Sequence, residues 1–151
     1  MVLSVHSRHP LFMCSFMWGI SGLSTDDEKV MNLWLNSAVF FYLLLARKTV
    51  TRGSWVKLHK KPLLMMQMLD PTKLPQSTKS RLVKLHNSLG KTQWPSLVKQ
   101  YSAPSKKRRK LDLQMLKVLG IEAKPAEKLL DHLYKGIVSS LRTMQMTMEA
   151  D

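Results

Sequence analysis

The sequence predicts a mainly α protein: a small irregular helical bundle, a flexible basic linker, and a C-terminal helical hairpin. Three observations carry this. Ala126, Leu129, Leu130, Leu133, Tyr134, Ile137, Val138, Leu141 and Met144 recur at three- and four-residue steps, the signature of an amphipathic helix. Leu82, Leu85 and Leu89 fall on one helical face, with Gly90 as a stop. Thr25-Asp26-Asp27-Glu28 reads as a capping box ahead of a long apolar run.

The elements follow in order. Residues 1–24 form an apolar N-terminal segment with no predicted element. After Thr25, the seventeen residues Val30 to Ala46 hold no charge and predict one continuous helix. At 1.5 Å per residue it is about 25 Å long, against a bilayer core of about 30 Å. Gly53 breaks the pattern, Trp55 to Pro62 reads as a short basic strand or loop, Leu63 to Leu69 predicts a short apolar helix opened by Pro62, and Asp70-Pro71 and Leu74-Pro75 stop that one. Ser77 to Leu89 and Gln93 to Tyr101 are the next two helices. These elements make residues 25–101 a helical region with a basic surface. Ser102-Ala103-Pro104-Ser105 predicts an exposed linker that continues through Lys110. In residues 111–151, Asp112 is expected to cap a helix from Leu113 to Leu119, Gly120 ends it, and Pro125 opens the last helix.

Charge is the strongest compositional signal. The 151 residues carry 24 Lys+Arg against 10 Asp+Glu, a net of +14. Residues 1–53 contribute +2, residues 54–110 contribute +13 and residues 111–151 contribute −1. Such an excess favours an anionic partner, nucleic acid or an anionic membrane. Lys106-Lys107-Arg108-Arg109-Lys110 is the densest part. An exposed run of this kind suits a nuclear import receptor and also phosphate backbones. Lys57, Lys60, Lys61, Lys79, Arg81, Lys84, Lys91 and Lys99 precede it, with Trp55, Trp94 and Tyr101 interleaved as stacking groups for bases.

Other chemistry finds little support. Cys14 is the single cysteine, so no intramolecular disulfide framework exists. His6, His9 and Cys14 lack a convincing fourth metal ligand. There is no Gly-x-Ser-x-Gly elbow, no phosphate-cradling glycine loop and no spaced carboxylate pair. The expectation is a non-enzyme with no metal and no cofactor.

Residues 118–130, Val118-Leu-Gly-Ile-Glu-Ala-Lys-Pro-Ala-Glu-Lys-Leu-Leu130, locally resemble the helix-hairpin-helix motif, a DNA-binding element that reads no particular sequence. Gly120, Ile121, Lys124, Ala126, Leu129 and Leu130 carry the likeness, and Glu122 stands where that family has its second glycine. The resemblance implies a phosphate held by the turn amides and Lys124, and it spans thirteen residues only. No family covers the whole chain.

The reading is a small basic nuclear protein that engages nucleic acid or chromatin through residues 54–110, without a choice between DNA and RNA. Leu130, Leu133, Tyr134, Ile137 and Leu141 form a seam for a protein partner or a second copy. One rival is a single-pass membrane protein anchored by residues 30–46, with a cytoplasmic basic region. Another is a helical adaptor with no nucleic-acid role.

Overall fold

The computed structural model describes residues 4, 6–7, 19–47, 61 and 64–149. Among them are six α-helices and no strand, the mainly α class that the periodicity predicts. They are α1 (Thr25–Leu35), α2 (Ala38–Ala46), α3 (Gln76–Leu89), α4 (Leu97–Ser102), α5 (Lys106–Val118) and α6 (Ala123–Glu149), with a 3-10 turn at Pro71–Lys73 before α3. Helix α1 packs on α3, while α2, α4 and α5 pack on α6. Helix α5 also touches α1, α2 and α3, which places it between the two groups.

The long apolar run is not one helix. It breaks at Asn36-Ser37, and α1 and α2 meet at a 59° bend. Ser37 is fully buried and makes the break locally. Its hydroxyl donates to the Trp34 carbonyl at 2.7 Å and accepts from the Phe40 amide at 3.2 Å, so it closes one helix and caps the next. Among the described residues no single helix is long and apolar enough to cross a membrane; α1 and α2 together reach that length and composition, but bent. Val30, Leu33, Trp34, Phe40, Phe41, Leu44 and Leu45 are spent on the protein's own core.

The cap of α1 lies one residue earlier than the sequence suggests. Ser24 Oγ accepts from the Asp27 amide at 3.2 Å and donates to Asp27 Oδ2 at 2.6 Å. Ser24 therefore takes the capping place expected of Thr25, and the Asp27 carboxylate accepts the Ser24 hydroxyl rather than a backbone N–H. Asp27 also holds Lys79 of α3 at 2.6 Å, pinning the two helices together.

Residues 106–110 are helix, not linker. Ser105 caps α5 by accepting from the Arg108 amide at 3.2 Å, and the helix runs on to a left-handed glycine. Gly120 has φ +81°, where an L side chain costs about 1–2 kcal/mol. Its amide bonds Lys117 O at 3.0 Å, and the Ile121 amide bonds Leu116 O at 3.1 Å. These are the two bonds of a Schellman C-cap.

Helix α6 lays Ala126, Leu130, Tyr134 and Ile137 into the core, with Leu133 and Leu141 partly covered beside them. The seam read as a docking face is thus largely used within the molecule. Phe41 and Tyr101 stack at 5.4 Å, and Tyr101 meets Tyr134 at 5.6 Å.

Candidate nucleic-acid interface

The forty-one residues from Pro71 to Leu111 hold eleven cations and no carboxylate. The fold sorts those cations by orientation. Lys79 pairs with Asp27, Lys73 with Asp70, Arg108 with Asp112, and Arg109 with both Glu127 and Asp131. Arg81, Lys84, Lys91, Lys99, Lys106 and Lys110 are exposed and form no ion pair among the described residues.

The pentad itself divides. At 100° per residue, Arg108 shares the inward arc of α5 with Leu111, Asp112, Met115 and Leu116, all buried. Lys106, Lys117, Lys110 and Lys107 fall within about 100° on the exposed side. The strip extends about 16 Å along the helix. Lys107 Nζ reaches Thr92 Oγ1 at 3.1 Å, which carries the positive surface into the loop beside Lys91.

Arg108 is only 3% exposed. Its Nε donates to Asp112 Oδ2 at 2.7 Å, Nη2 to Asp112 Oδ1 and to Asn36 O at 2.5 Å each, and Nη1 to Gln100 Oε1 at 3.4 Å. The guanidinium lies over the Tyr101 ring at 4.9 Å and the Trp94 ring at 5.7 Å. Burial disfavours its charge, but Asp112 outweighs that and holds Arg108 protonated above its ordinary value. Asp112, expected as a helix cap, is interior and fully buried, and it also accepts from Tyr134 Oη at 2.7 Å. A receptor that grips consecutive cations would find Arg108 sealed and Arg109 committed to α6.

The remaining expected residues scatter. Lys57 and Lys60, with Trp55, lie outside the described residues. Lys61 is exposed. Arg81 and Lys84 are exposed on α3, off the buried face of Leu82, Leu85 and Leu89. Tyr101 is 2% exposed and cannot stack on a base. Trp94 is half-buried. Lys124 is exposed, but the Gly120 and Ile121 amides that were to face a phosphate close the end of α5 instead.

A cleft of about 320 Å³ opens between α1, the end of α3 and the loop into α4. Leu33, Leu89 and Leu111 give it apolar walls, and Asn32, Thr92 and Trp94 add polar and aromatic ones. His6 and His86 line it edge to face, 5.6 Å apart, and His6 Nε2 meets Glu28 at 3.1 Å. Among the described residues no group of three His, Cys, Asp or Glu side chains could hold a metal.

No family model, no curated protein and no solved structure matches this chain. Residues missed at the sequence level include Lys117, Thr92 and Asn32. Lys117 was legible once α5 is taken back to Lys106, since it lies eleven positions on and nearly in phase.

Proposed function

We propose that this protein binds nucleic acid through the lysine strip of α5 and the adjoining loop, with Lys91, Lys106, Lys107, Lys110 and Lys117 as phosphate contacts. One observation carries the reading. In a stretch without carboxylates, Arg108 and Arg109 of α5 have acid partners, while Lys106, Lys107 and Lys110, with Lys117 beyond the stretch, gather on one outward arc of the same helix without any. An unneutralised strip of this kind repels itself and gains by replacing the counterions of a phosphate backbone. The contacts are to backbone charge, so little sequence preference follows.

Salt-titrated binding tests it. Four or five contacts give a slope of log K against log salt of about −3 on a single strand. Changing Lys106, Lys107 and Lys110 together to Ala should remove about 2 from that slope. A slope that does not move, or an absence of binding at low salt, would refute the assignment.

A further inference from the structure

The cleft beside the strip divides its chemistry between floor and rim. Inside, the charge is already spent: Arg108 borders the cleft, but its Nε, Nη1 and Nη2 all donate to protein acceptors. Arg108 therefore offers no free positive charge to an anion. The interior offers apolar walls from Leu33, Leu89 and Leu111, the Trp94 indole, and neutral hydrogen-bonding groups.

Two of those groups have capacity left. Asn32 donates through Nδ2 to Ser4 Oγ, while its Oδ1 takes no hydrogen bond from the described residues. Thr92 Oγ1 accepts from Lys107 and keeps its own proton to give. The rim is cationic, because Lys91 sits between the lining residues Gly90 and Thr92, and Lys107 is anchored on Thr92. A neutral planar polar group inside with an anion outside is the division of a nucleotide. The volume lies at the lower end of the roughly 300–1,000 Å³ of small-molecule sites.

We infer that this cleft takes one base of a single-stranded nucleic acid whose phosphates run along Lys91, Lys107 and the α5 strip. The inference rests on the proposed function and makes it specific. A duplex keeps its bases stacked and cannot fill the cleft without extruding one, so single strands are preferred over duplexes of the same length.

Gly90 provides a variant that tests the cleft while sparing the fold. Its backbone is right-handed helical, with φ −58°. Among the described residues a Cβ there meets only Asn87 O at 3.7 Å and His86 O at 3.8 Å, ordinary contacts. Gly90→Phe should obstruct the cleft, and Gly90→Ala serves as the control for the backbone change. The probe is a labelled single strand of about twelve nucleotides, within the roughly 4–16 that one site covers, with a matched duplex and the Lys106, Lys107 and Lys110 triple Ala variant alongside.

The expected result is that Gly90→Phe weakens single-strand binding about tenfold at an unchanged salt slope, as loss of one seated base does. Gly90→Ala should keep the wild-type urea midpoint, and the triple variant should lose slope. Wild-type affinity in Gly90→Phe with a reduced slope in the triple variant would overturn the base site and leave the lysine strip standing. An unchanged slope in the triple variant would overturn both.

Discussion

Asp112 Oδ1 accepts the backbone N–H of Ala38 at 2.7 Å, so a carboxylate inside α5 caps a helix that begins 74 residues earlier. The same side chain holds Arg108, and Arg108 in turn holds the Asn36 carbonyl at 2.5 Å. The carbonyl of Asn36, which caps the end of α1, and the first amide of α2 are thus satisfied by one ion pair. The bend between the helices is fixed by α5 as much as by Ser37. This ties the core to the lysine strip, since the helix that presents Lys106, Lys107 and Lys110 is seated by Arg108 and Asp112.

Removing one partner should therefore cost far more than the surface position of the pentad suggests. Asp112→Ala leaves Arg108 charged and buried, and a broken buried pair costs about 3–5 kcal/mol. Arg108→Met with Asp112→Leu removes both charges and should be less destabilised than Asp112→Ala alone, although the Ala38 amide and the Tyr134 hydroxyl still lose their acceptor. Lys106→Ala and Lys110→Ala should stay within about 0.5 kcal/mol of wild type. Urea midpoints at constant slope give the comparison. Equal midpoints for Asp112→Ala and Lys106→Ala would mean that the pair does not seat the helix.

The two core tyrosines make the next contrast. Tyr134 Oη donates to Asp112 at 2.7 Å, while the buried Tyr101 hydroxyl has no hydrogen-bond partner among the described residues. Both phenols are pushed up by burial; Asp112 adds to the effect at Tyr134, and Arg108 opposes it at Tyr101. Tyr134→Phe should lose about 1.5–3 kcal/mol, the worth of a hydrogen bond to a charged group. Tyr101→Phe removes an unsatisfied buried hydroxyl and should be neutral or stabilise by about 1 kcal/mol. Thermal unfolding separates the two. A Tyr101→Phe variant that melts well below wild type would show that its hydroxyl is bonded.

How legible was this in the sequence? Where one face of a helix meets the core, it was plain. Leu82, Leu85 and Leu89, and Leu130, Tyr134 and Ile137, are buried at the spacing that announces them. The pentad was misread because local physics argues against it. Five cations in the first turns of a helix oppose its dipole, and an exposed linker is the natural expectation. What overrides the dipole is tertiary: Arg108 meets Asp112 one turn on, and Arg109 meets Glu127 and Asp131 from another helix. The Arg108–Asp112 spacing of four was the available clue. The break at Asn36-Ser37 was visible as two polar residues in an apolar run, but its partner in α5 was not.

Acid should weaken the fold in two separate steps. His86 is held below its ordinary 6.5, first by burial, with His6 and Lys29 adding to it and a contact with Asn87 opposing. The unfolded chain then takes up this proton first, so the contribution of His86 is complete above about pH 6.5 and declines as pH falls below it. Asp27 is held below its ordinary 3.8, first by the Lys79 hydrogen bond and next by Ser24. Its contribution is present above that value and is lost as pH falls further through the lowered one. Urea midpoints at pH 7.5, 5 and 3 should fall at each interval. His86→Gln should flatten the first, and Asp27→Asn the second, each at the cost of a lower midpoint at pH 7.5. A His86→Gln profile parallel to wild type between pH 7.5 and 5 would assign that loss to another group.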